Sequence, residues 1–178
     1  MIAGALTIVV THVKQVFYLT LALVTFATSA MTQTIPVELR GKWTIRRELP
    51  TSTISCWGES EARSIIGTEI EYTADSFQWK DDIRKNPRVD VAVITAQQFH
   101  DENSGKGSNS SQVSFVQLGI KSASVKQVTI QHDRAKISDA TTEIPGDVVL
   151  LKSRSTIVFS VCSVFFEANR VVAPRHTK

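Results

Sequence analysis

Short segments in which apolar and polar residues alternate recur along most of this chain, and they restrict its fold more than any other feature. A period of two places the apolar side chains on one face of a β-strand. The segments, separated by turn residues, cover 42–46, 69–73, 77–80, 89–93, 128–130, 148–150, 157–161 and 164–168. This series predicts an all-β domain, an antiparallel β-barrel of about eight strands with one or two short helices.

The two ends of this domain carry residues suited to close a barrel. Gly41-Lys42-Trp43 starts the first segment, and Arg170 ends the last one. If the first and last strands pair, the guanidinium of Arg170 can lie over the Trp43 ring in a cation–π contact. We therefore predict a closed or nearly closed barrel over residues 38–170, with Trp43 and Arg170 sealing one end.

Large aromatic residues bear on what such a barrel contains, since eight strands leave room for side chains or for one small ligand. Four are expected to point inward and fill much of the space: Phe77, Trp79, Phe115 and Phe159. Trp57, Tyr72 and Trp79 are the candidates for a ligand pocket or its mouth. Trp57 follows Cys56 directly, and its alternative role is to cover a disulfide.

Two short helices are expected between the strands. Ser60 can cap a turn or two of helix that ends at Gly67. Thr95-x-x-Gln98 has the pattern of a capping box and starts a second helix that carries Phe99.

Turns are predicted at 73–76 and 152–155, where polar residues separate alternating segments.

At Cys162-Ser163 the apolar residues change from odd-numbered to even-numbered positions of the chain. Because a slip of one residue moves every side chain to the other face, the chain must bulge or turn there.

The first thirty residues predict export. Lys14 is their only charged residue, and an apolar run over 16–30 ends in Thr28-Ser29-Ala30, as a signal peptide does before its cleavage site. We expect a signal peptide at 1–30, a leader at 31–37, a disordered tail at 171–178 and a periplasmic or secreted location. The alternative is an uncleaved membrane anchor, although the core run is shorter than the roughly 20 residues of a span.

The chain has two cysteines, Cys56 and Cys162. In an oxidising compartment the expected arrangement is one disulfide between them, and the alternative is two free buried thiols.

Charge and motifs argue against several classes of function. The net charge of +3 is spread along the chain, which does not favour nucleic acid as a partner. His100-Asp101-Glu102 and His132-Asp133 place imidazoles beside carboxylates, but consecutive residues on a helix point in different directions. We expect no catalytic residues, no metal and no cofactor.

The Gly41-x-Trp43 start and the Arg170 end resemble those of lipocalin and calycin barrels. The resemblance implies that Trp43 and Arg170 meet at the closed end and that the open end takes a small hydrophobic ligand. The chain is also similar to small exported bacterial proteins of unknown function with lipocalin-like names. The shared segments are 61–63 with 66–67 (Glu-Ala-Arg to Ile-Gly), 74–76 (Ala-Asp-Ser), 118–120 (Leu-Gly-Ile) and 166–170 (Phe-Glu-Ala-x-Arg).

Three hypotheses for function follow. The first is a non-enzymatic binding protein for a small apolar ligand or an envelope component. The alternative is an inhibitor or immunity-type protein that blocks an envelope hydrolase or a toxin and presents loops such as 104–111. The third is an enzyme that acts through His100 and the neighbouring acids.

Overall fold

A computed structural model describes residues 34–51, 57–103, 113–131 and 143–172, which all lie in one compact unit, 32–178. Several predictions fall on residues outside these ranges: the signal peptide at 1–30, Cys56, the loop 104–111, His132 with Asp133, and most of the tail. Neither of the helices in the described ranges is long and apolar enough to cross a membrane.

Nine strands and two short helices form the described part of the chain, which confirms the predicted all-β, barrel-like class. The helices are α1 (Glu59–Ser64) and α2 (Ala96–Asn103). The strands are β1 (Gly41–Glu48), β2 (Glu69–Tyr72), β3 (Ser76–Trp79), β4 (Asp82–Lys85), β5 (Arg88–Thr95), β6 (Ser124–Gln131), β7 (Val148–Leu150), β8 (Thr156–Val161) and β9 (Val164–Arg170).

All nine strands form one antiparallel sheet in the order β4-β3-β2-β1-β9-β8-β7-β6-β5. Every neighbouring pair but one joins strands that are successive in the chain. The exception is β1–β9, in which Trp43 lies opposite Arg170. The first and last strands of the domain therefore pair.

The two edge strands of the sheet, β4 and β5, are separated in the chain by only Asn86 and Pro87. This link spans at most about 11 Å, whereas nine strands in a flat sheet would place the edges about 38 Å apart. The sheet must therefore curl. Residues 82–95 act as one bent segment that pairs with β3 through β4 and with β6 through β5.

No ladder between β4 and β5 completes the ring in the described residues. Because every neighbouring pair is antiparallel, the first and the ninth strand of the sheet, β4 and β5, run in the same direction. Parallel neighbours need a long crossover connection, and two residues cannot supply one. The sheet is consequently barrel-like with a break in its hydrogen bonding at the bent segment 82–95.

The phase change at Cys162-Ser163 is a two-residue hairpin between β8 and β9. Both residues have positive φ, 49° and 63°, which is the pattern of a type I′ turn. The turn explains why Phe159 and Phe166 are opposite each other and in contact, with ring centres 5.6 Å apart.

A cluster of buried side chains covers one face of the sheet. Because these side chains come from strands near both edges of the sheet and contact one another, this face is the concave one. Its largest fully buried side chains are aromatic, and they include Phe77 and Phe159 as predicted. Trp79 is partly buried against it. The interior cluster comprises Ile35, Leu39, Trp43, Ile45, Ala62, Ile65, Ile70, Tyr72, Phe77, Val89, Val128, Ile130, Val149, Ile157, Phe159, Val161, Cys162, Val164, Phe166 and Ala168.

A second buried cluster lies on the opposite face, over strands β5 to β9. It places Phe115 outside the barrel, which corrects the expectation that Phe115 points inward. The reason is the contact of its ring with Phe99 of α2, at 5.2 Å between centres. The outer cluster comprises Leu49, Ile94, Phe99, Val113, Phe115, Leu118, Ile120, Val125, Leu150, Val158 and Phe165.

Residues 34–40 cover one end of the interior cluster. Ile35 and Leu39 are completely buried, and the amide of Ile35 donates to the carbonyl of Ala74 in the β2–β3 turn at 3.1 Å. Lys126 of β6 also binds the carboxylate of Glu38 at 2.6 Å, and both side chains are partly exposed. The C-terminal part of the predicted leader 31–37 is thus packed against the sheet.

Candidate functional site

Arg170 and Trp43 form a structural contact at the end covered by residues 34–40. The guanidinium carbon of Arg170 lies 4.1 Å from the centre of the Trp43 ring. Its nitrogens donate to three backbone carbonyls, those of Glu38, Arg40 and Arg154. The indole nitrogen of Trp43 donates to the carbonyl of Leu39 at 2.7 Å. The polar groups of both side chains are therefore bonded to the backbone at this end of the sheet, where they hold the first and last strands and residues 38–40 together.

Tyr72, a candidate for a pocket mouth, lies inside the interior cluster with 1% of its surface exposed. Its hydroxyl crosses to the residues before β7 and donates to the carbonyl of Gly146 at 2.8 Å. Burial, and then the charge of Asp147, raise the pKa of Tyr72 well above its usual 10.0. Tyr72 therefore belongs to the core and not to a surface that a ligand reaches.

Trp57 and Trp79, the other two pocket candidates, are partly buried against the interior cluster. The indole nitrogen of Trp79 donates to the hydroxyl of Thr68 at 3.4 Å, and the ammonium of Lys80 lies 4.5 Å from the ring centre. Trp57, Tyr72 and Trp79 thus all belong to the interior cluster or pack against it.

A cavity of about 250 Å³ opens instead on the outer face of the sheet, beside the C-terminal half of α2. Its apolar lining comes from α2, β7 and β9: Phe99, Val148, Leu150 and Phe165. Phe159 of β8 also borders the cavity, although its ring packs in the interior cluster. Its polar lining comes from α2, β6 and β8: Glu102, Asn103, Gln127 and Ser160. We call this cavity the α2 cleft.

The position of α2 is fixed by the capping box that the sequence predicts. The amide of Gln98 donates to the hydroxyl of Thr95 at 3.1 Å, and the amide of Thr95 donates to the side chain of Gln98 at 2.9 Å. The amide of Ala96 also donates to the carbonyl of Ala123 at 3.0 Å. Phe99, 3% exposed, anchors the helix in the outer cluster. One wall of the α2 cleft is therefore held by capping and by packing.

α1 is capped differently from the prediction. Its N-cap is Gly58, whereas Ser60 lies in the first turn and its hydroxyl bonds to the carboxylate of Glu61 at 2.8 Å. Ala62 and Ile65 are buried, and Gly67 follows with a positive φ of 88°, as the glycine after a helix commonly does.

The polar side chains of the α2 cleft differ in how they are used. Asn103 donates its side-chain amide to the carbonyl of Phe99 at 2.9 Å, so its oxygen is left as an acceptor. Gln127 and Ser160 are half-buried, and within the described ranges their side chains make no hydrogen bond. The cleft therefore offers polar groups that are available to a ligand.

The two carboxylates that follow His100 have different surroundings. Asp101 accepts a hydrogen bond from Gln97 at 2.8 Å, and Glu102 lines the α2 cleft. Across residues 34–51, 57–103, 113–131 and 143–172, no group of three or more His, Cys, Asp or Glu side chains is placed to hold a metal ion.

Cys162 is buried in the β8–β9 turn. Its amide donates to the carboxylate of Glu143 at 2.6 Å, which ties the turn to the segment before β7. Cys56 lies outside the described residues, so the Cys56–Cys162 disulfide stays a prediction.

The α2 cleft was not predicted from the sequence, although a signal for it exists. The runs Val148–Leu151, Ile157–Phe159 and Val164–Phe166 are continuously apolar, which is typical of strands buried on both faces. They indicate that other residues pack on the outside of β7, β8 and β9.

Comparisons with protein-family models, curated proteins and solved structures find no match for this chain.

Proposed function

We propose that this chain is an exported, non-enzymatic binding protein that meets its ligand at the α2 cleft, on the outer face of the barrel-like sheet. The observation that carries the proposal is the contrast between the two faces. The concave face is filled by fully buried residues such as Trp43, Tyr72 and Phe166. The outer face has a cavity with an apolar floor and unused polar groups, as ligand sites have.

The size of the cleft restricts the ligand. Its volume of about 250 Å³ is below the roughly 300–1,000 Å³ of sites for drug-sized molecules. It therefore suits a small molecule, or a side chain or end group of a larger envelope component.

Export is part of the proposal and is supported by the signal-peptide pattern at 1–30. The lipocalin-like resemblance is supported by the order of the strands. Successive strands other than β4 and β5 are neighbours and the first pairs with the last, as in up-and-down barrels.

A substitution that fills the cleft tests its role. In Ser160→Leu a larger side chain extends from β8 into the cavity, whereas Ser124→Leu adds the same side chain at an exposed position at the start of β6. The protein purified from its host is analysed for bound molecules by native mass spectrometry. We expect the native chain and Ser124→Leu to retain the same ligand and Ser160→Leu to lose it. Equal retention by all three proteins would exclude the cleft.

The filled interior also favours a second candidate function, inhibition of an envelope hydrolase or of a toxin. An inhibitor needs a stable surface and no internal cavity, and the α2 cleft could receive a side chain of the target. Affinity capture from periplasmic extract distinguishes the two functions. A stoichiometric protein partner that is lost in Ser160→Leu supports inhibition, and a bound small molecule with no such partner supports the first proposal.

A further inference from the structure

We infer that the α2 cleft takes a cation on an apolar stem, an alkylammonium or guanidinium group of the kind that Lys and Arg side chains carry. The inference rests on the proposed function, because it names the chemistry of the ligand for the same cleft.

The charge of the cleft points to a cation. Glu102 is the one charged residue among the described residues that line it, and no Lys, Arg or His is among them. A carboxylate or phosphate ligand would therefore meet Glu102 with no positive side chain in the lining to offset it. A cation placed there gains a charge-assisted hydrogen bond.

The free polar groups add acceptors for such a ligand. The side-chain oxygen of Asn103 is left over because its amide nitrogen is bonded to the carbonyl of Phe99. The side chains of Gln127 and Ser160 add two further oxygens that no described residue occupies. An ammonium has three donors and a guanidinium five, and neither has an acceptor, so both match a rim of oxygens.

The floor of the cleft suits the methylene stem of such a ligand. Leu150 and Phe165 are 4% exposed, and Phe99 meets Phe165 edge to face with ring centres 6.1 Å apart. Long cationic side chains bury their methylene groups on apolar surfaces of this kind and keep the charge at the rim. The aromatic rings also offer cation–π contact.

The experiment uses three four-carbon probes of different charge: n-butylammonium, n-butanol and butyrate. Each is titrated into the full chain while the backbone amides of the cleft residues are followed by NMR. We expect saturable shifts at Gln127 and Ser160 with n-butylammonium, binding of n-butanol weaker by about twofold to fivefold, and no saturation with butyrate.

Two variants test the role of the carboxylate. Glu102→Gln should weaken n-butylammonium binding by about twofold to fivefold, because Glu102 is exposed, and leave n-butanol binding unchanged. Asp101→Asn removes the same charge from the neighbouring residue, which is outside the cleft lining, and should change the affinity little.

The results distinguish an error in the chemistry of the ligand from an error in the position of the binding site. Equal binding of n-butanol and n-butylammonium would overturn the inference and leave the cleft as a binding site. No saturable shift with any probe would overturn the proposed function as well. A lysine-containing peptide is titrated in the same way. If it binds more tightly than n-butylammonium, the cation belongs to a side chain of a partner protein, and if the two affinities are equal, the ligand is a small amine. Both results support the inference.

Discussion

Arg170 lies directly over the ring of Trp43, with 4.1 Å between the guanidinium carbon and the ring centre, and the two residues are also opposite each other where β1 pairs with β9. One contact therefore joins the first and last strands of the described domain. The same guanidinium holds residues 38–40 over the end of the interior cluster.

Arg170→Ala should destabilise the domain. It removes a cation–π contact and hydrogen bonds to three backbone carbonyls, which together are worth on the order of 2–4 kcal/mol. Urea unfolding followed by tryptophan fluorescence measures the loss. Arg154→Ala is the matched control, because Arg154 takes part through its backbone carbonyl and its own side chain is exposed. An equal effect of the two substitutions would contradict the assigned role.

Stability should fall at alkaline pH because of Tyr72. Its pKa is raised in the folded chain, so above about pH 10 the unfolded chain loses a proton that the folded chain keeps, and unfolding becomes more favourable. The contribution is complete below the unfolded pKa and is lost as the pH rises towards the folded one. In a Tyr18→Phe background Tyr72 is the only tyrosine, so tyrosinate absorbance follows it alone.

Tyr72→Phe in the same background should remove the alkaline decline that Tyr72 causes. At neutral pH it should cost about 1–2 kcal/mol, because the buried carbonyl of Gly146 loses the hydroxyl. A tyrosinate signal near pH 10 in the folded protein would show that Tyr72 is not buried.

Thr95→Ala should loosen α2. It removes the hydroxyl that accepts from the amide of Gln98, and the loss of such a cap costs about 1 kcal/mol. Hydrogen exchange at the amides of α2 should become faster, with little change in the interior cluster. Asp101→Asn, an exposed change on the same helix that keeps an acceptor for Gln97, serves as control, and equal exchange in the two variants would argue against the capping box.

Lys152→Met should destabilise the protein at neutral pH by about 1–2 kcal/mol. Lys152 donates to Glu167 at 2.7 Å and to the carbonyl of Leu118 at 3.0 Å, which ties the 113–120 segment to the sheet. Lys121→Met, at an exposed position, should have little effect.

The effect of Lys152→Met should also depend on pH. Burial alone raises the pKa of Glu167, but the hydrogen bonds from Lys152 and Arg47 outweigh it and lower the pKa below the ordinary 4.5. The stabilisation is therefore present above about pH 4.5 and is lost as the pH falls through the folded pKa. Unfolding curves measured across this range should converge for the native chain and Lys152→Met on the acid side.

The predicted disulfide has a direct chemical test. The intact protein purified without reductant should be lighter than its reduced form by the mass of two hydrogen atoms and should not react with a thiol reagent. Cys162→Ser should lower the free energy of unfolding by about 2–4 kcal/mol. Reaction of the native, unreduced protein with two equivalents of thiol reagent would show free cysteines instead.

Most of the sheet could be predicted because eight of its strands contain apolar residues at every second position. β4 was missed because Asp-Ile-Arg-Lys has one apolar residue, Ile83, and that side chain is 52% exposed. Its strand conformation comes from pairing with β3, such as Phe77 opposite Arg84, and this pairing leaves no mark on the periodicity.

The outer face was harder to predict for a different physical reason. Alternation assigns one buried face to each strand, but β8 has Val158 buried outside and Phe159 buried inside. Phe115 lies outside any alternating segment, so its sequence context gave no information about which face it covers. The α2 cleft combines side chains from one helix and four strands, and its shape depends on their packing.

The near-sequential order of the strands bears on how the chain folds. Seven of the eight strand pairings join strands that follow one another in the chain, whereas the pairing of β1 with β9 brings together residues such as Trp43 and Arg170 that are far apart along the chain. That late, entropically expensive loop closure should set the folding rate. Substitutions at this junction are then expected to slow refolding, whereas those elsewhere mainly accelerate unfolding.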